Sequence, residues 1–168
     1  VYREGYGEHL IIRAFSQSEI PNPKSPILLL GHTDTVHPRG AHAKNPTRIE
    51  GDKFYVCGIF DMTTNCVLML EILRSFDELN LKQNRPITIQ INSDEEVGSD
   101  TGREFVESEA VKSAYCLVFE PSANGKVKTG RKGTGWYELK AHGIPAHAGL
   151  EPEKGASAVL EISRQIQQ

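Results

Sequence analysis

Ile27-Leu28-Leu29-Leu30-Gly31-His32-Thr33-Asp34-Thr35 is the stretch that decides how the chain is read. Four apolar residues without a polar break read as a buried strand of a parallel or mixed sheet, because only a strand covered on both faces dispenses with alternation. In open α/β sheets, ligand and metal sites gather at the carboxyl ends of such strands. His32 and Asp34 lie just past that end, two positions apart, and so on the same side of an extended backbone. One can bind a metal while the other orients it or the substrate. Taken alone, a His-x-Asp pair reads more readily as hydrogen-bonded structure than as a metal site. The decision rests on whether other strand ends bring further ligands.

Working outward, His9 to Phe15 reads as a strand and Ser16 to Ser25, with two prolines, as a loop. Pro38 to Pro46 reads as irregular, and Thr47 to Val56 as a hairpin turning at Glu50-Gly51-Asp52-Lys53. Thr63 to Leu79 carries Val67, Leu70, Leu73 and Phe76 at helical spacing, with Leu68, Met69 and Ile72 widening the stripe. Ile87, Ile89 and Ile91 form a strand ending at Asn92-Ser93-Asp94. Thr101 to Ala110 is a helix with Phe105 and Val106 inward, and Tyr115 to Phe119 is a third short strand ending at Glu120-Pro121. Strand, helix, strand, helix, strand argues an α/β domain with a layered mixed sheet and helices on both faces. Past Thr129 the character changes: Gly130, Gly133 and Gly135 interrupt the chain, Trp136 to His142 alternates as a half-exposed strand, and Gly155 to Ile166 is helical in spacing. A domain boundary falls near Thr129 to Gly133, dividing residues 1–130 from 131–168.

Composition sets outer bounds. A net charge of −3 with dispersed Lys and Arg gives no reason to expect nucleic acid. No stretch approaches the roughly 20 apolar residues of a membrane helix. The three cysteines, Cys57, Cys66 and Cys116, are widely spaced without a CxxC pattern and read as unpaired small hydrophobes, consistent with a reducing, cytoplasmic compartment. The chain opens on Val1 in an extended pattern and ends inside a helical one, so both ends read as cut and an upstream signal peptide stays open.

Four strand ends or adjoining turns carry acids or imidazole: His32 with Asp34, then Asp61, then Asp94-Glu95-Glu96, then Glu120. The long spacings exclude a zinc finger and suit a site assembled from several loops. Oxygen and nitrogen donors without thiolates fit a catalytic zinc or a similar divalent ion. Two ions about 3.5–4 Å apart, bridged by a carboxylate, would explain why so many acids converge. Each acid also has a plain reading. Asp61 fits a helix cap, Asp94-Glu95-Glu96 a solvated turn, and Glu120 an ordinary loop acid. Their joint placement beyond successive strands favours the site.

Gly31-His32-Thr33-Asp34-Thr35-Val36, Gly58-Ile59-Phe60-Asp61-Met62, Asp94-Glu95-Glu96-Val97-Gly98-Ser99, Phe119-Glu120-Pro121 and Ala146-His147-Ala148-Gly149 follow one another in this order. The series resembles the di-zinc exopeptidase family of glutamate carboxypeptidases, aminoacylases, acetylornithine deacetylases and succinyl-diaminopimelate desuccinylases. Gly135-Trp136-Tyr137-Glu138-Leu139 and Glu153-Lys154-Gly155 bring it closest to the glutamate carboxypeptidase branch. The resemblance implies that His32 and Glu120 hold one zinc, Glu96 the second, and Asp61 bridges both, with cobalt or manganese as alternatives to zinc. It implies Glu95 as general base on a metal-bridging water, Asp34 as the residue fixing the His32 tautomer, and His147 as a lid histidine stabilising the oxyanion across a homodimer. A cis Asp61–Met62 peptide is implied too. The expected fold is a zinc-exopeptidase catalytic domain in its N-terminal part, followed by the first strand and helix of a ferredoxin-like lid. The expected substrate is a small peptide or N-acyl amino acid cut at an amide next to a free carboxylate. His37, His42 and His142 match no motif and read as surface or hydrogen-bonded residues.

Two departures stand out. The family usually follows its bridging Asp with Lys-Gly-Gly, where this chain has Met62-Thr63-Thr64-Asn65, so Thr64 and Asn65 are expected to crowd or restructure that turn. The family's last zinc-ligand histidine and its lid arginine fall downstream of Gln168, so the chain is expected to be a piece of a longer enzyme.

Overall fold

The computed structural model describes residues 7–15 and 24–167. Residues 1–127 and 128–168 form two compact units, Val1–Val127 and Lys128–Gln168. Most of the loop expected from Ser16 to Ser25 lies outside the described residues.

In the first unit, β1 (Leu10–Ala14), β2 (Ile27–His32), β5 (Ile87–Asn92) and β6 (Tyr115–Val118) form one sheet in the order β1-β5-β2-β6. β1 runs antiparallel to β5, whereas β2 runs parallel to both β5 and β6, so the sheet is mixed. β5 is buried at every position, which is why its sequence shows isoleucines on one face and Thr88, Gln90 and Asn92 on the other rather than a solvated side. In the β2–β5 register Gly31 lies opposite Ile91 and His32 opposite Asn92. The ends of two parallel strands therefore coincide where the chain turns into Thr33 and Ser93. β3 (Arg48–Glu50) and β4 (Lys53–Tyr55) make the expected hairpin, with Gly51 at φ 62°.

Between Pro38 and Pro46, expected to be irregular, the chain takes one helical turn, α1 (Ala41–Lys44), entered through Gly40 at φ 85°. The main helix, α2 (Thr64–Glu78), begins one residue later than its sequence pattern suggests, because Ile59–Thr63 form a wide turn instead. Its buried line is also different. Met62, Cys66 and Met69 join Leu29, Ile87, Ile89 and Ile91 in the core, with Leu73 and Phe76 packed against them, while Val67, Leu68 and Leu70 face outward. Two apolar stripes are present on this helix. Gly31 selects between them: a Cβ there would stand 2.7 Å from Met69 Cε and 2.8 Å from Met62 Cε, so the bare glycine is the recess that both methionines fill.

The helix α3 (Arg103–Ala110) approaches the opposite face, where an ideal Cβ on Gly102 would lie 3.0 Å from the Asn92 side chain. Glu109 is buried there and is paired by Arg13 of β1 at 2.8 Å and Lys112 at 3.0 Å. Helices on both faces of a mixed sheet are the layered arrangement expected from the element order.

Gly58, which opens the turn that carries Asp61, does not tolerate exchange. It sits at φ 73°, and a Cβ would fall 2.4 Å from Thr35 Cγ2. Gly58→Ala is expected to destabilise the chain by about 1–2 kcal/mol from the left-handed backbone alone, with the Thr35 contact adding to that. Chemical denaturation measures it, and an unchanged midpoint would contradict the reading.

The second unit holds a 3₁₀ turn, Pro152–Lys154, and α4 (Ala158–Ile166), capped by Ser157 Oγ accepting from the Leu160 N–H at 3.2 Å. Trp136 to His142, expected to be a strand, is not one. Alternation makes a strand only where a neighbouring backbone supplies hydrogen-bond partners, and among the described residues none lies alongside it. The backbone pairing in this unit is the bridge of Ile144 with Ala156.

Candidate metal centre

The site is built from three turns that leave the same end of the sheet, after β2, β5 and β6, and from the turn Ile59–Thr63 that leads into α2. His32 is the last residue of β2 rather than the first beyond it, and its ring is 1% exposed. Its Nδ1–H donates to the backbone carbonyl of Asp34 at 2.9 Å. That bond fixes the tautomer and leaves Nε2 with a bare lone pair. Nε2 faces Asp61 Oδ1 at 3.3 Å, Glu120 Oε1 at 3.3 Å and Glu95 Oε2 at 3.9 Å.

Asp34 orients His32 mainly through its carbonyl, since its carboxylate is farther away, at 3.4 Å from Nδ1. The carboxylate has another task. Oδ1 accepts from the Glu95 N–H at 3.1 Å and Oδ2 from the Glu96 N–H at 2.8 Å, which ties the acidic turn to β2. Asp61 arrives through the turn Ile59–Thr63 and a cis Asp61–Met62 peptide. The Asn65 amide donates to the Phe119 carbonyl and so holds the backbone just before Glu120. A cleft of about 680 Å³ opens beside Glu120, lined by Phe54, Ile59, Phe60, Thr64, Asn65 and Phe119 among others.

Electrostatics report crowding. Burial raises the Glu95 carboxyl above its ordinary value; the His32 charge opposes this, and Glu96, Asp34 and Asp61 add to the rise. Glu120 is raised for the same first reason, against His32 and with Asp61 and Glu95 contributing. Burial pulls the His32 imidazole down, but the Asp34 carbonyl and the Glu120, Glu95 and Asp34 carboxylates outweigh it, and the net shift is upward.

The metal-free chain is therefore expected to gain thermal stability as pH falls from neutral. Glu95 and Glu120 cost the fold when ionised, and protonation through their raised values relieves that. His32 contributes stability below its ordinary 6.5 and loses it as pH rises through its folded-state value. Asp94 works in the opposite sense. Burial raises it, but hydrogen bonds from Thr101 and Gly102 win, so its contribution is present above 3.8 and lost in stronger acid. Thermal melts in chelator test this, and a steady loss of stability from about pH 7 to about pH 5 would contradict it.

A divalent cation suits the donors present. His32, Asp61 and Glu120 offer ligand atoms within 4.8 Å of one another, as do His32, Glu95 and Glu96. Glu96 Oε1 is buried with no hydrogen-bond partner among the described residues, a costly arrangement for a carboxylate oxygen unless a cation meets it. Imidazole with carboxylates and no thiolate is the donor set of a hard or borderline ion. All three cysteines are free thiols, and Cys66 Sγ–H donates to the His32 carbonyl at 3.2 Å.

The family model described as Peptidase family M20/M25/M40 matches residues 28–166. The chain belongs to this family. It is 37% identical to carboxypeptidase G2 of Pseudomonas sp. (strain RS-16) over 139 residues, covering 82% of the chain and 34% of that protein. It is 31% identical over 137 residues to acetylornithine deacetylase of Buchnera aphidicola subsp. Acyrthosiphon pisum (strain APS), covering 79% and 35%. It is 27% identical over 163 residues to acetylornithine deacetylase of Vibrio campbellii (strain ATCC BAA-1116), covering 95% and 40%. The chain thus spans about a third of the length of the first of these curated relatives.

Within this M20 chain the structure brings together His32, Asp34, Asp61, Glu95, Glu96 and Glu120. His147 belongs to the second unit, where it is exposed and its Nδ1 accepts from the Gly149 N–H at 3.1 Å. Sequence reading passed over His9 and Thr101 and did not set Asp94 apart from the two acids beside it. Asp94 is 0% exposed, not part of a solvated turn, and its Oδ2 accepts from Thr101 N at 2.7 Å, Thr101 Oγ1 at 2.9 Å and Gly102 N at 3.0 Å. Position beside β5 is the one cue the sequence offered for it. No helix among the described residues is long and apolar enough to cross a membrane.

Proposed function

We propose that the protein carrying this chain is a metal-dependent hydrolase that cuts an amide next to a free carboxylate, a carboxypeptidase of the glutamate carboxypeptidase kind. The observation that carries the reading is the bare Nε2 of buried His32 facing three carboxylates within 3.3–3.9 Å. His32 and Glu120 would hold one zinc ion, Glu96 a second, and Asp61 both, with cobalt or manganese as substitutes. When bound, the ions would polarise the scissile carbonyl and acidify the attacking water.

The chain's own groups supply the rest. Glu95 takes the proton of the water and returns it to the leaving amine. Asp34 keeps Glu95 and Glu96 in place through their amides and His32 in its tautomer. The cleft beside Glu120 gives the substrate an apolar wall. Residues 131–168 are read as the start of a lid domain through which two copies pair, placing His147 of one copy at the oxyanion of the other.

An N-acyl amino acid deacylase of the acetylornithine or succinyl-diaminopimelate type is the second reading, supported by the relatives that carry the acetylornithine deacetylase name. The intact protein, loaded with zinc, should be assayed on acyl- and peptidyl-glutamates against N-acetylornithine and N-succinyl-diaminopimelate. Higher kcat/KM on the glutamates supports the first reading, and higher kcat/KM on either of the others selects the second. No hydrolysis together with no bound zinc would leave a non-catalytic homologue.

A further inference from the structure

Behind the acidic turn, on the side away from His32, runs a buried chain of hydrogen bonds. The single proton of the Thr101 hydroxyl is spent on Asp94 Oδ2, at 2.9 Å. Thr101 Oγ1 also lies 2.8 Å from His9 Nε2, so the imidazole must be the donor there and carry its proton on Nε2. The His9 Nδ1 is then bare, and it accepts from the Ser93 N–H at 3.3 Å. His9 is 2% exposed, stands beside β1 and rests against the Phe105 ring at 5.6 Å. The path runs Ser93 N–H, His9, Thr101, Asp94, and it closes on the turn where it began.

Both ends of this path lie immediately before the two acids. Ser93 and Asp94 are the residues before Glu95-Glu96, and Asp34 grips the amides of those acids from the other side. The turn is thus clamped between β2 and the His9–Thr101 pair, with no glycine until Gly98. From this geometry we infer that His9 and Thr101 are positioning residues that set where Glu95 and Glu96 present their carboxylates. The inference rests on the hydrolase reading for its catalytic consequence, but not for its structural one. Outer hydrogen bonds of this kind restrict the wandering of groups whose placement decides rate, and their loss lowers activity or metal affinity by about 10–100-fold.

The test uses the intact, zinc-loaded protein and two matched pairs of variants. Thr101→Val removes the hydroxyl at nearly constant shape, and Thr101→Ser keeps it. His9→Leu removes the ring donor, and His9→Gln returns an N–H at the position of Nε2. Thr101→Val and His9→Leu are expected to lower kcat about 10–100-fold with KM held within about twofold, and Thr101→Ser and His9→Gln to recover most of the loss. Hydrogen–deuterium exchange in residues 93–98 should quicken in Thr101→Val and His9→Leu while β5 exchanges as before. Exchange that rises equally through β5 would mean general destabilisation and overturn the inference, as would a kcat unchanged by Thr101→Val. Should the wild-type protein hydrolyse none of the substrates, the hydrolase reading fails, and local exchange at 93–98 alone decides whether His9 and Thr101 hold the turn.

Discussion

Glu95→Gln in the intact protein is expected to keep its bound metal and to lose about 10²–10⁴-fold in kcat, the range that a positioned general base contributes. Gln matches Glu in shape and still offers an oxygen, but it cannot take a proton at neutral pH. The backbone of residue 95 is held by Asp34 through its N–H at 3.1 Å, so the substituted side chain starts from the same place. Of the three carboxylates within 4 Å of His32 Nε2, Glu95 stands at 3.9 Å, against 3.3 Å for Asp61 and Glu120. Metal analysis beside steady-state kinetics checks both halves of the expectation. A variant that turns over at nearly the wild-type rate would remove Glu95 from the chemistry, and one that loses its metal would make it a ligand.

Withdrawal of the metal is expected to produce the second large effect, a fall in thermal stability that zinc reverses. Asp61, Glu95, Glu96 and Glu120 converge around one imidazole, and burial with mutual repulsion already lifts Glu95 and Glu120. A cation that binds only the folded chain removes that repulsion and adds its own binding energy. At a concentration a thousand times its Kd, the linkage amounts to about 4 kcal/mol. Asp61→Asn should blunt the response, because Asp61 lies in the ligand set formed with His32 and Glu120. Melting curves in chelator and after zinc addition measure the difference. No shift in Tm on adding zinc, manganese or cobalt would show that the cluster does not hold an ion and would take the proposed chemistry with it.

How far the sequence reached differs from element to element. The apolar run of β2 announced a buried strand, whereas β5 is buried along its whole length with Thr88, Gln90 and Asn92 on one face, and β6, at the edge of the sheet, is exposed at every position. The acids just beyond these strands announced a site because strand ends at one edge of a parallel sheet meet in space. The inward face of α2 departs from its pattern in part: Met69, Leu73 and Phe76 pack inward as expected, whereas Val67, Leu68 and Leu70 do not. Apolar residues occur on two sides of that helix, and local periodicity could not show that the recess at Gly31 would take Met62 and Met69 and leave Val67 and Leu70 outside. The strand expected at Trp136 to His142 was misread for a related reason, since pairing depends on a neighbour that no local pattern contains.

Legible in the residues alone were the layered fold of the first unit and the cluster members His32, Glu95, Glu96 and Glu120, because β2, β5 and β6 stop at or just before them. What each group does for its neighbour was settled by folding. Asp34 was legible as support for His32, but its carboxylate turned out to hold the Glu95 and Glu96 amides while its carbonyl holds the ring. Asp94 was indistinguishable from the two acids beside it until burial and three hydrogen bonds set it apart as an anchor. His9 lies 92 positions from Thr101 along the chain, and β1 brings it into contact by pairing with β5. Hydrogen bonds are directional and short in range, so such roles come into existence only once folding has brought the two partners together.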